Sequence, residues 1–112
     1  MTVRGEVYWV SWNPSRGSEQ AGRRPALIVQ NNTGNQLAST TIVVAITSRE
    51  MKRRYPFHVP VPQGILPGES TIMCEQVMTI DKSRLEEPCI TLLNDTVMEE
   101  VDAALKRSLG LG

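Results

Sequence analysis

Two arginines, Arg23 and Arg24, stand side by side immediately before Pro25 and the apolar run Pro25-Ala-Leu-Ile-Val-Gln30. An arginine next to an ordered segment offers a fixed fork of donors, the geometry that suits a phosphate group. The plainer reading is that both guanidiniums are solvated or pair with Glu19. A second group is Thr47-Ser48-Arg49, where hydroxyls follow a buried apolar run beside a cation. Such a hydroxyl can donate to an anion, or simply bond the nearby backbone. A third is Glu75-Gln-Val-Met-Thr-Ile-Asp-Lys-Ser-Arg-Leu85, in which polar residues interrupt an apolar strand pattern. Strict alternation would put Cys74, Gln76 and Met78 on one face, with Glu75, Val77 and Thr79 on the other.

What is missing narrows the chemistry. His58 is the single histidine, so no two-histidine acid–base pair can form, and its Phe57-His-Val-Pro60 setting reads as a half-exposed strand residue. There is no Gly-rich loop with the lysine of a nucleoside triphosphatase, no Gly-x-Ser-x-Gly elbow, and no metal-ligand spacing. Cys74 and Cys89 lie among apolar neighbours without a close-spaced partner and read as reduced core residues. No cofactor or metal is expected.

The elements that must position these groups are mostly strands. Glu6-Val-Tyr-Trp-Val-Ser-Trp12 is β-branched and aromatic and ends at Asn13-Pro14. A polar loop, Ser15 to Arg24, leads into the strand Pro25 to Gln30. Asn31 to Asn35 has turn chemistry, and Thr41 to Thr47 forms a buried strand. Arg49 to Arg54 reads as a basic loop, Phe57 to Val61 as a proline-limited edge strand, Pro62 to Gly68 as a loop and Thr71 to Ile80 as a long strand. Val97, Val101, Ala104, Leu105 and Leu109 then recur at helical spacing, with Asn94 or Asp95 to cap the start and Gly110 to stop the end. Five or so short strands and a terminal helix predict a mainly β, α+β fold: a small antiparallel barrel packed against a C-terminal helix.

A chain of 112 residues fits a single domain spanning 1–112. No apolar run reaches the roughly 18 residues of a membrane span, and no signal-peptide pattern opens the chain, so a cytoplasmic protein without membrane attachment is expected. The formal net charge is zero, but residues 1 to 54 hold eight Lys/Arg against three acids, and the remainder is acidic to the same extent. That asymmetry suits a basic face for a phosphate backbone.

Three segments in order resemble the MazF/PemK family of toxin endoribonucleases: Arg4-Gly-Glu-Val-Tyr-Trp-Val10 with Gly17-Ser-Glu-Gln-Ala-Gly-Arg-Arg-Pro25, then Ile42-Val-Val-Ala-Ile-Thr47, then Glu75 to Leu85. The resemblance implies an SH3-like barrel, a homodimer, a cognate antitoxin protein, and metal-independent, sequence-specific cutting of single-stranded RNA. The family's active-site arginine and threonine correspond to Arg24 and Thr47, while Glu19, Gln20 and Gln76 match positions near bound RNA. Arg16, Ser18, Arg23, Ser48, Arg49 and Thr79 complete the expected RNA-binding set. One departure is Met78, where the family usually has arginine; it removes a phosphate contact and bears on sequence preference.

Metal-free RNA cleavage uses the neighbouring 2′-hydroxyl as nucleophile and leaves a 2′,3′-cyclic phosphate and a 5′-hydroxyl. Arg24 and Thr47 would stabilise charge on the phosphorane oxygens. A guanidinium stays protonated up to a pKa of about 12 or more, so the base must be another group, and Glu19 is the candidate. Two other readings fit less of the chain. Gyrase-poisoning toxins share the barrel but carry an aromatic near the end of the terminal helix, where this chain has Ser108-Leu-Gly-Leu-Gly112. A non-catalytic RNA-binding SH3-like module would rest on the basic loop alone.

Overall fold

The computed structural model describes residues 2–12, 22–49 and 51–112. Its elements are β1 (Glu6–Ser11), β2 (Arg23–Ile28), α1 (Asn32–Leu37), β3 (Thr40–Thr47), β4 (His58–Pro60), β5 (Thr71–Asp81), a 3-10 turn at Lys82–Arg84, β6 (Leu85–Leu92) and α2 (Asp95–Leu109). The six strands form one antiparallel sheet in the order β4-β5-β3-β2-β1-β6. The expected class holds: mainly β with a C-terminal helix. The sheet is not closed, and β4 and β6 are its two edges.

Each sheet face carries its own apolar cluster, which explains why β1 reads as apolar throughout. Val7 and Trp9 pack with Leu27, Val44, Ile46, Ile72 and the α2 residues Val97 and Val101. Tyr8, Val10 and Trp12 pack with Ala26, Ile28, Val43, Ile80 and Leu85. Successive side chains point to opposite faces, so consecutive apolar residues feed two cores. α2 closes the first core against β5 and β4. The Asn94 side chain caps it by accepting from Val97 N at 2.9 Å, and Gly110 ends it at φ 70°, where Leu111 N reaches back to Lys106 O at 2.8 Å.

The structure corrects four sequence expectations. Arg23 and Arg24 belong to β2, where they pair with Ser11 and Val10, instead of ending a loop. The Asn31–Asn35 turn is the start of a helix: Asn31 caps α1 by accepting from Gly34 N at 2.7 Å. Buried Asn35 accepts from Thr41 Oγ1 at 2.7 Å and donates to Gln30 O at 2.9 Å, so its amide ties that helix to the sheet. β6 has no counterpart in the sequence reading, because Glu86, Glu87 and Pro88 mask its strand pattern.

Finally, β5 does not alternate evenly. Its register with β3 runs Val44↔Val77 and then Ala45↔Met73, leaving Cys74, Glu75 and Gln76 as a bulge. An odd slip reverses the faces, so Cys74 joins the α2-side core while Met78 packs against the other. The expected grouping of Cys74, Gln76 and Met78 on one face fails for that reason.

Candidate active site

Neighbouring strands carry the two expected catalytic residues, Arg24 on β2 and Thr47 on β3. Their ladder runs Ile28↔Val43, Leu27↔Val44 and Ala26↔Ala45. The ladder ends there, and Arg24 and Thr47 each lie two residues past its last pair, Arg24 paired instead with Val10 of β1 and Thr47 with Thr71 of β5. Thr47 is half-buried at the last position of β3, and its Oγ1 accepts from Arg49 N at 3.1 Å. A hydroxyl that accepts from the backbone keeps its own proton available to donate. Arg24 is exposed.

Beside these strand ends lies an open cleft of about 170 Å³, lined by Trp9, Arg23, Arg24, Pro25, Ser48 and Leu66, among others. Arg23 and Ser48 therefore converge on it. Arg23 also donates through Nε to Glu86 Oε1 at 2.7 Å, and its guanidinium carbon sits 4.3 Å from the Trp9 ring centroid. Exposed Arg49 follows Ser48 directly. Gln76 lies in the β5 bulge, near the Val44–Ala45 step of β3. Thr79 is exposed opposite Ile42, five residues along β3 from Thr47, or about 16 Å at strand spacing. Arg16, Ser18, Glu19 and Gln20 lie outside the described residues.

Several neighbours of these strand ends went unread in the sequence. Trp9, Leu66, Pro67 and Ser70 line the cleft, and Glu86 anchors Arg23. Trp9 and Leu66 have only apolar patterning to show, and Glu86 lies on the unrecognised β6. A second grouping runs from Arg53 over Tyr55, through Tyr55 stacked on Phe57 with centroids 5.3 Å apart, to His58. Although half-exposure was expected, the His58 side chain is only 3% exposed. Its Nδ1 accepts from Tyr55 N at 3.2 Å, so in the neutral ring Nε2 carries the proton that faces Glu75 Oε2, also at 3.2 Å.

The thiols are protected. Burial, with Glu75 adjoining, pushes the Cys74 thiol up to about 12. Burial and the Glu6 carboxylate raise Cys89 as well. Both cysteines are free. Among the described residues, no three or more His, Cys, Asp or Glu side chains gather as a metal site. No helix among them is long and apolar enough to cross a membrane.

The structure is a small antiparallel sheet with a terminal helix, carrying arginines and hydroxyls at the ends of its central strands. Residues 3–109 match the family described as PemK-like, MazF-like toxin of type II toxin-antitoxin system. The chain belongs to that family. It is 46% identical over 113 residues to an Endoribonuclease MazF of Staphylococcus saprophyticus, covering 99% of this chain and 93% of that one. Among solved structures it is similar to a mycobacterial endoribonuclease in complex with its cognate antitoxin, with TM-score 0.82, 26% identity and coverage of 100% and 98% of the two chains. It is also similar to a MazE-MazF structure from Deinococcus radiodurans, with TM-score 0.79, 27% identity and coverage of 99% and 97%.

Proposed function

We infer that this chain is an endoribonuclease toxin that cuts single-stranded RNA and is held in check by a cognate antitoxin protein. The observation that carries the reading is that exposed Arg24 on β2 and Thr47 on β3 each lie two residues beyond Ala26↔Ala45, the last pair of the β2–β3 ladder, at the same end of the sheet. The substrate supplies the nucleophile. Its 2′-oxygen attacks the adjacent phosphorus, the bond to the 5′-oxygen breaks, and a 2′,3′-cyclic phosphate and a 5′-hydroxyl result. Arg24 and Thr47 donate to the phosphorane oxygens, where charge grows. Ser48, Arg49, Gln76 and Thr79 contact the flanking RNA, as do Arg16, Ser18 and Gln20. Glu19 takes the 2′-hydroxyl proton.

Working as a homodimer in the cytoplasm, the enzyme reads a short sequence. Met78 leaves one arginine fewer for that reading than family members usually have, and its packing against the core suits an apolar side chain. Digestion of a long RNA in EDTA, followed by sequencing of the new ends, tests the reading. The expected products carry 5′-hydroxyls that accept phosphate from polynucleotide kinase and share one short sequence. Ends bearing 5′-phosphate, or no cleavage in EDTA, would exclude this mechanism.

A further inference from the structure

Arg23 is held differently from a phosphate-seeking arginine. Its guanidinium lies over the Trp9 ring, 4.3 Å from the centroid. Its Nε is fixed by the Glu86 carboxylate at 2.7 Å, and the side chain stays 57% exposed. The supports come from adjacent strands: Arg23 pairs with Ser11, and Trp9 pairs with both Pro25 and Glu86. The indole thus lies against the guanidinium, and its Nε edge is held by a carboxylate that offsets the charge. More than half of the side chain's surface remains exposed.

The adjoining cleft, with Leu66 and Pro67 in its lining, measures about 170 Å³. Sites for drug-sized ligands measure roughly 300–1,000 Å³, so this one has room for a single planar ring. Unpaired bases stack on guanidinium planes as well as on aromatic rings.

We propose that Trp9, Arg23 and Glu86 form a nucleobase subsite, in which one unpaired base of the RNA stacks on the Arg23 guanidinium at the mouth of the cleft. Trp9 backs that plane and Glu86 fixes its rotation. Ser48 and Ser70, in the same lining, supply hydroxyls for the edge of the base. The identity of the polymer rests on the endoribonuclease reading above; the stacking geometry does not.

2′-O-methyl RNA oligonucleotides, which lack the nucleophile, would carry a single 2-aminopurine moved position by position. Binding to the wild-type chain is expected to quench fluorescence at one position. Arg23→Lys keeps the charge but removes the plane, so it should abolish that quench and weaken binding on the order of 5-fold to 150-fold. Arg23→Ala should do no worse than Arg23→Lys. Quenching at no position overturns the proposal, as does an Arg23→Lys variant that binds and quenches like wild type while Arg23→Ala does not, since Arg23 would then act as a charge. Near-ultraviolet dichroism of each variant reports whether the packing around Trp9 survives. Digestion of unmodified RNA by the wild-type chain is scored separately. Cleavage without quenching removes the subsite alone, and quenching without cleavage removes the activity alone.

Discussion

Thr47 sits where a strand ends and a backbone N–H is left over, and its hydroxyl satisfies that donor from Arg49 while keeping a proton to give. The proposed role needs only that proton. Thr47→Val should therefore lower the cleavage rate on the order of 100-fold, the scale of losing one transition-state donor, whereas Thr47→Ser should stay much nearer wild type. Single-turnover kinetics would check both. A second residue-scale prediction concerns Cys74, whose thiol ordinarily titrates at 9.0 and is pushed up to about 12 in the fold. The folded state then holds this proton more tightly than the unfolded state does. The stability it contributes is complete below pH 9 and is lost as pH rises from 9 towards 12. Urea midpoints measured across that range should fall, and Cys74→Ala should flatten part of the fall.

At the scale of elements, what could be read from sequence was what local chemistry determines. α2 announced itself by its helical period, an Asn94 or Asp95 cap and its Gly110 stop; in the structure Asn94 is the cap and Gly110 ends the helix. Asn94→Ala should cost about 1 kcal/mol of stability, measurable by chemical denaturation, because Val97 N loses its acceptor. β3, and with it Thr47 at a strand end, was legible from its apolar run. What stayed hidden depends on neighbours. β6 is an edge strand that pairs only with β1, so little of it needs to look like a strand. The β5 bulge is a register event, and no alternation within one strand reveals that its partner slips. Arg23 and Arg24 read as loop because polar residues precede them, although β1 supplies their pairing. The candidate site was thus read from its residue types and its family resemblance, while the cleft beside it, lined by Trp9, Leu66 and Pro67, had no polar signature to show.

Across the whole molecule, two ion pairs tie the basic first half of the chain to the acidic second half. Arg4 bonds Asp102 of α2 at 2.5 Å, and Arg23 bonds Glu86 of β6 at 2.7 Å. With a formal net charge of zero, general attraction to nucleic acid is weak, so the proposed affinity rests on local cations such as Arg24 of β2 and Arg49 just after β3. If Arg49 contacts a phosphate as proposed, replacing it by Ala should reduce the slope of log affinity against log salt by about one. The proposed cleavage chemistry rests on Arg24 of β2 and Thr47 at the end of β3. The most direct measurement compares wild-type and Arg24→Ala chains on single-stranded RNA in EDTA, with the fold of each verified by circular dichroism. A variant that folds like wild type but cuts on the order of 100-fold to 1,000-fold more slowly is the predicted result; a folded Arg24→Ala chain that cuts at the wild-type rate would contradict it.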